Sequence, residues 1–108
     1  MPRYLIQASY NTGGISDLIR NPQDRAAAVR PVVESLGGKL ISFDYAFGDY
    51  DVVAIIEAPD NVTMAALAMA VGAGGALKDF KTTVLLSMEE AMEAMRKAGG
   101  AGYRPPGG

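Results

Sequence analysis

The apolar positions of this chain fall into two rhythms: short runs rich in aromatic and branched side chains, and positions spaced three and four apart. Arg3 to Tyr10 is a run of the first kind and stops before Asn11-Thr12-Gly13-Gly14, a turn signal, so it predicts a strand. Asn21-Pro22 predicts a helix start, with Asn21 as N-cap, Pro22 at the first helical position and Asp24 in the first turn. Ala26, Val29, Val33 and Leu36 then share one face, and Gly37-Gly38 ends the helix. Pro31 interrupts it and should kink or shorten it, since a proline inside a helix costs ~3 kcal/mol. Lys39 to Phe47 and Tyr50 to Ala58 predict a second and a third strand, with a tight hairpin turn at Gly48-Asp49.

Asp60 and Asn61 are candidate caps for a second helix, from about Val62 to Val71, whose apolar side is Met64, Leu67, Ala68 and Val71. Gly72-Ala73-Gly74-Gly75 closes it, and Phe80 to Leu86 predicts the fourth strand. Ser87-Met88-Glu89-Glu90 has the form of a capping box and opens a third helix, with Met88, Ala91, Met92 and Met95 on one face. The order β-α-β-β-α-β with short connections predicts an α+β, ferredoxin-like two-layer sandwich. It has a four-stranded antiparallel sheet and an added C-terminal helix. Residues 1–98 form a single domain in this reading, and the Gly/Pro-rich residues 99–108 a flexible tail.

The strands do not alternate cleanly between apolar and polar, as a sheet with one wet face should. Val52, Ala54 and Ile56 point one way and Val53 and Ile55 the other. Leu40 and Ala46 oppose Ile41, Phe43, Tyr45 and Phe47, and Val84 and Leu86 oppose Leu85. Two helices cover one face only, so a large apolar patch would be left on the other. A homo-oligomer formed through the free sheet face and the C-terminal helix resolves this. The competing solution folds that methionine-rich helix back over its own sheet, and methionine's adaptable packing suits either.

Composition narrows the chemistry. The 108 residues carry a formal net charge of -2 without a basic stripe, which argues against nucleic acid as a partner. The chain has no cysteine, which excludes thiolate nucleophiles, disulfides and Cys-liganded zinc. It has no histidine either, so the commonest general base and metal ligand is missing. No run is long and apolar enough to span a bilayer, and Met1-Pro2-Arg3-Tyr4 does not read as a signal peptide, so a cytoplasmic protein is expected.

Candidate motifs each have a plain structural reading. Gly72-Ala73-Gly74-Gly75 follows a helix where a phosphate loop must precede one, and Gly13-Gly14 lacks the lysine and spacing of such a loop. Asp44, Asp49, Asp51 and Glu57 could offer oxygens to a hard cation, with Asp44 and Asp51 near each other across the hairpin. Pairing with Arg3 and Lys39 accounts for them more simply, so neither a metal nor another cofactor is expected. Gly48-Asp49-Tyr50-Asp51 is the most distinctive motif. It reads as a hairpin turn, or as a carboxylate and a phenol placed at the end of the sheet beside a pocket.

Gly48, Tyr50 and Asp51, followed by Val52-Val53-Ala54-Ile55-Ile56-Glu57-Ala58-Pro59, resemble the GYD domain family and its Gly-x-Tyr-Asp motif. Gly37-Gly38-Lys39, the Ala-rich second helix ending in Gly72 to Gly75, and Lys81-Thr82-Thr83 extend the resemblance to about Met95. It implies a ferredoxin-like fold related to the dimeric α/β barrel proteins, and it brings neither a reaction nor a catalytic residue.

Tyr4, Tyr10, Phe43, Tyr45, Phe47 and Tyr50 form an aromatic set on the sheet, read first as packing. If they border a cavity instead, Tyr10, Tyr45, Tyr50, Asp51 and Thr83 are its expected ligand-binding groups. Three functions follow. The first is a homo-oligomeric binding or regulatory module for a small apolar or aromatic molecule. The second is a cofactor-independent oxygenase or isomerase, an analogy of fold alone. The third is a structural subunit with Tyr103-Arg104-Pro105-Pro106 as a docking segment.

Overall fold

The computed structural model describes residues 1–107. The elements run β1 (Arg3–Tyr10), α1 (Thr12–Arg20), α2 (Arg25–Ser35), β2 (Lys39–Tyr45), β3 (Val52–Glu57), α3 (Asn61–Ala73), β4 (Leu77–Leu85) and α4 (Met88–Gly99). The four strands form one antiparallel sheet in the order β2-β3-β1-β4, which is the ferredoxin-like arrangement. No helix among the described residues is long and apolar enough to cross a membrane.

The core is the seam between α2, α3 and one face of the sheet. Tyr4, Ile6, Leu40, Ala54 and Ile56 from the strands meet Val33 of α2 and Met64 and Leu67 of α3. The period-two alternation of β1 and β3 places Tyr4, Ile6 and Ala8 in register with Ile56, Ala54 and Val52 on this face. Tyr4 is 1% exposed. Its hydroxyl donates to Asn61 Oδ1 at 2.7 Å and so ties the start of β1 to the start of α3. Burial, with the nearby Asp60 carboxylate, raises the Tyr4 pKa.

Five expectations need correction. Asn11-Thr12-Gly13-Gly14 is not a turn but the start of an additional helix. The Asn11 side chain accepts from the Gly14 N–H at 2.8 Å, an N-cap that outweighs the two glycines. The cap of the next helix is then Asp24, accepting from the Ala27 N–H at 3.1 Å, while Asn21 terminates α1. Pro31 stays inside α2 on its exposed side, where water can reach the carbonyl it leaves unbonded. The hairpin is also longer than two residues: β2 stops at Tyr45 and β3 begins at Val52.

The fifth correction concerns the faces of the sheet. The β2–β3 register shifts between Leu40 and Ser42, so Ile41 is an extra residue and a bulge. Beyond it Phe43 and Tyr45 turn to the helix side, opposite Ala54 and Val52, while Ser42 and Asp44 turn to the open side. Asp44 therefore faces Val53, away from Asp51. The open face reads Lys39–Glu57–Arg3–Leu85, then Ser42–Ile55–Leu5–Thr83, then Asp44–Val53–Gln7–Lys81. It is mixed, with an apolar strip of Leu5, Val53, Ile55 and Leu85 beside the Arg3–Glu57 ion pair at 3.3 Å.

The apolar surface without cover lies instead on the helices. α3 carries no charged residue in Asn61–Ala73 and is apolar around its whole circumference, a pattern of fully buried helices. Only Met64 and Leu67 are buried, while Val62 is 80% and Met69 74% exposed. α4 opens on the expected capping box, with Ser87 and Glu90 each accepting from the other's N–H. None of its residues is buried, and Met88, Met92 and Met95 face outward. The radius of gyration is 17.5 Å, against about 13 Å for a compact chain of this length.

Candidate functional site

α2 and α3 leave a cleft of about 300 Å³ between them, over the end of the sheet where β1 terminates. Its floor is Ala8, Val52 and Leu67, all buried. Val29, Phe43, Val71 and Leu77 form half-buried walls, and the mouth is the exposed Ala28, Val32, Ala70 and Gly74. The space exists because Ala8, Ala28, Ala70, Gly74 and Ala76 put small residues where branched ones would fill a two-layer core.

Two polar side chains line the cleft, Tyr10 and Arg25. Tyr10 is the last residue of β1 and Arg25 the first of α2, so the topology brings both to the same end of the fold. Tyr10, Arg25 and Ala76 also border a second depression of about 210 Å³, which includes Asp17 and Gln23. The Arg25 guanidinium donates to Gln23 Oε1 at 2.8 Å and enters none of the ion pairs among the described residues. The Asp17 carboxylate is paired with Arg20 at 3.5 Å. The pKa of the Tyr10 phenol is pushed up to about 12, chiefly by burial and next by the neighbouring Tyr45 phenol. Arg25 opposes this shift and Asp51 adds to it. The phenol is thus a hydrogen-bond donor at neutral pH and a poor base.

The expected site residues separate. Tyr10 lines the cleft, and Tyr45 stands beside it, exposed, with its ring edge-on to Phe43 at 5.8 Å and 82°. Asp51 holds the protein together instead of facing the cleft. Its Oδ2 accepts from the Tyr10 N–H at 3.0 Å, its N–H donates to the Ala8 carbonyl at 2.9 Å, and its carbonyl accepts from the Ala46 N–H at 2.9 Å. One residue therefore joins β1 to both sides of the hairpin. Ser9, buried at the same joint, donates to the Asp49 carbonyl at 3.3 Å. Tyr50 sits half-buried in the hairpin loop and is not among the cleft-lining residues, and Thr83 lies on the open face beside Leu5. Among the described residues no group of three or more acidic side chains is placed to hold a metal ion.

Arg25 is the polar group that reading the sequence missed. Its signal was positional: Arg25 opens α2, the helix that leads from the β1 end of the sheet back towards β2, and so lies near the end of that strand.

The model of the family described as GYD domain matches residues 4–95 of the chain. The match takes in β1 from Tyr4 onward, β2 to β4, α1 to α3 and the whole cleft, and ends within α4. No curated protein matches the chain.

Proposed function

The chain belongs to the GYD domain family, and from that premise and the shape of its cleft we propose that it is a homo-oligomeric module that binds a small molecule. The observation that carries this reading is the cleft between α2 and α3. Its floor and walls are apolar, and two polar side chains meet at one end, as in ligand pockets generally. A regulatory role suits this better than catalysis, because the phenol at its end is held protonated and the Asp51 carboxylate accepts from the Tyr10 backbone N–H.

Self-association is supported by the uncharged outer side of α3 and by the methionine stripe of α4, which its own chain leaves open to solvent. The apolar strip Leu5, Val53, Ile55 and Leu85 of the open sheet face is a second contact surface. Native mass spectrometry of protein purified from its own host tests both halves together. A multiple of the subunit mass is expected, with an added small-molecule mass lost on activation. Met92→Glu should lower the subunit count while leaving the circular dichroism spectrum intact. A single subunit mass without an adduct at every concentration overturns the proposal.

A further inference from the structure

We infer that the cleft takes a small carboxylic acid with a compact aromatic or aliphatic body, its carboxylate held by Arg25 and Tyr10. This inference rests on the ligand-binding reading above and specifies the ligand. The polar lining consists of those two side chains. A guanidinium can only donate hydrogen bonds, and a protonated phenol supplies another donor. The end of the cleft therefore offers positive charge and donors, with no carboxylate among its lining side chains. In the adjoining depression the Asp17 carboxylate is occupied by Arg20, and Asp51 accepts from the Tyr10 N–H, so neither neutralises Arg25 by direct contact. Guanidinium groups pair with carboxylates through two parallel hydrogen bonds, and a partly dry site strengthens them.

The rest of the ligand is fixed by what lies inward. The floor of Ala8, Val52 and Leu67 and the Phe43 and Val71 walls offer no polar side chain to a second charged group. A cleft of about 300 Å³ stands at the lower end of the ~300–1,000 Å³ typical of ligand sites, which favours a single ring or a short branched chain over a nucleotide or a long acyl chain.

The test uses the full chain, with benzoate and cyclohexanecarboxylate as probes and the matching neutral carboxamides as controls. Affinities come from calorimetry and contact sites from amide chemical shifts. Each acid should bind about tenfold or more tightly than its amide, as charge-assisted pairing requires. Shifts should centre on Ala8, Val29, Leu67 and Val71. Arg25→Gln should erase the preference for the acid, Arg25→Lys should keep part of it, and Tyr10→Phe should reduce it by a smaller factor. A well-dispersed amide spectrum shows that each variant is folded. Amides that bind as tightly as acids, or a preference untouched by Arg25→Gln, overturn the carboxylate assignment while leaving the cleft as a binding site. No shift in the cleft with any of the four probes overturns the binding reading along with it.

Discussion

Two adjacent glycines at the start of α1 should respond to alanine in opposite directions. Both lie in the first turn of a helix capped by Asn11, where alanine in place of glycine gains up to ~1 kcal/mol. At Gly13 a Cβ would meet nothing nearer than Asn11 Oδ1 at 3.5 Å, an ordinary contact. At Gly14 it would stand 2.5 Å from the Ala76 carbonyl oxygen and 3.3 Å from the Ala76 carbonyl carbon and Cβ. The oxygen contact falls ~0.8 Å short of the separation, about 3.3 Å, at which C···O contacts normally begin.

That oxygen is not free to retreat, because it accepts from the Asn11 N–H at 2.8 Å. The neighbouring Gly75 carbonyl accepts from Asn11 Nδ2 at 2.7 Å. Overpacking of this kind costs ~1–3 kcal/mol, and a lengthened hydrogen bond ~1 kcal/mol more. Set against the helical gain, Gly14→Ala should destabilise by roughly 1–3 kcal/mol, while Gly13→Ala should be neutral or stabilising. Urea unfolding at one fixed protein concentration measures both, as midpoint shifts at unchanged m-value. With m of ~1–3 kcal/mol/M the Gly14→Ala midpoint should fall by about 1 M. Equal midpoints for the two variants would refute the claim that α1 is docked on the Ala76 carbonyl.

Asp51→Ala should cost about 2 kcal/mol in the same assay, since it removes the charged acceptor of a backbone N–H, and the Tyr10 amide should exchange faster with solvent. Asp51→Asn, which keeps an acceptor, should lose less. Tyr4→Phe should cost ~1 kcal/mol for the lost bond to Asn61, with the amide spectrum otherwise unchanged; a neutral result would mean that β1 is held without it. The Asp60 and Glu90 carboxyls titrate below their ordinary values of 3.8 and 4.5 because they accept from the N–H groups of Thr63 and Ser87. A lowered folded pKa means that their stabilisation is complete above those values and fades as pH falls through the folded ones. Helical circular dichroism should therefore decline below about pH 4, and Asp60→Asn with Glu90→Gln should blunt that decline.

Local chemistry was legible in the sequence where it acts alone. The Ser87–Glu90 box, the Asp60 cap and the β1 run needed only near neighbours. The buried face of α3, Met64 and Leu67, needed only its own spacing. What failed depended on distant partners. Two glycines after Asn11 look like a turn until the Ala76 carbonyl explains why one of them must lack a side chain. Asp51 looks like a ligand group in Gly48-Asp49-Tyr50-Asp51, yet its carboxylate is spent on a backbone N–H forty-one positions away. The place of Tyr10 beside the cleft was legible because it ends a strand in an aromatic context. Arg25 was not, because a charged residue at a helix start looks like any solvated one until the cleft is seen beside it.

The extra residue at Ile41 gives β2 a parity that its composition does not reveal. Along a strand, odd and even positions exchange sides whenever the count changes by one. Deleting Ile41 should therefore be tolerated, since it leaves Leu40 opposite Ile56 and Ser42 opposite Ile55, whereas pairing Ile41 itself opposite Ile55 would carry Phe43 and Tyr45 to the solvent side and bring Ser42 and Asp44 under the helices. In that unbulged register the aromatic wall that faces Tyr10 would vanish and a carboxylate would stand in its place. A strand shortened by one residue would keep the cleft wall, while the full-length strand keeps it only through the bulge, which decides which half of β2 faces the cleft.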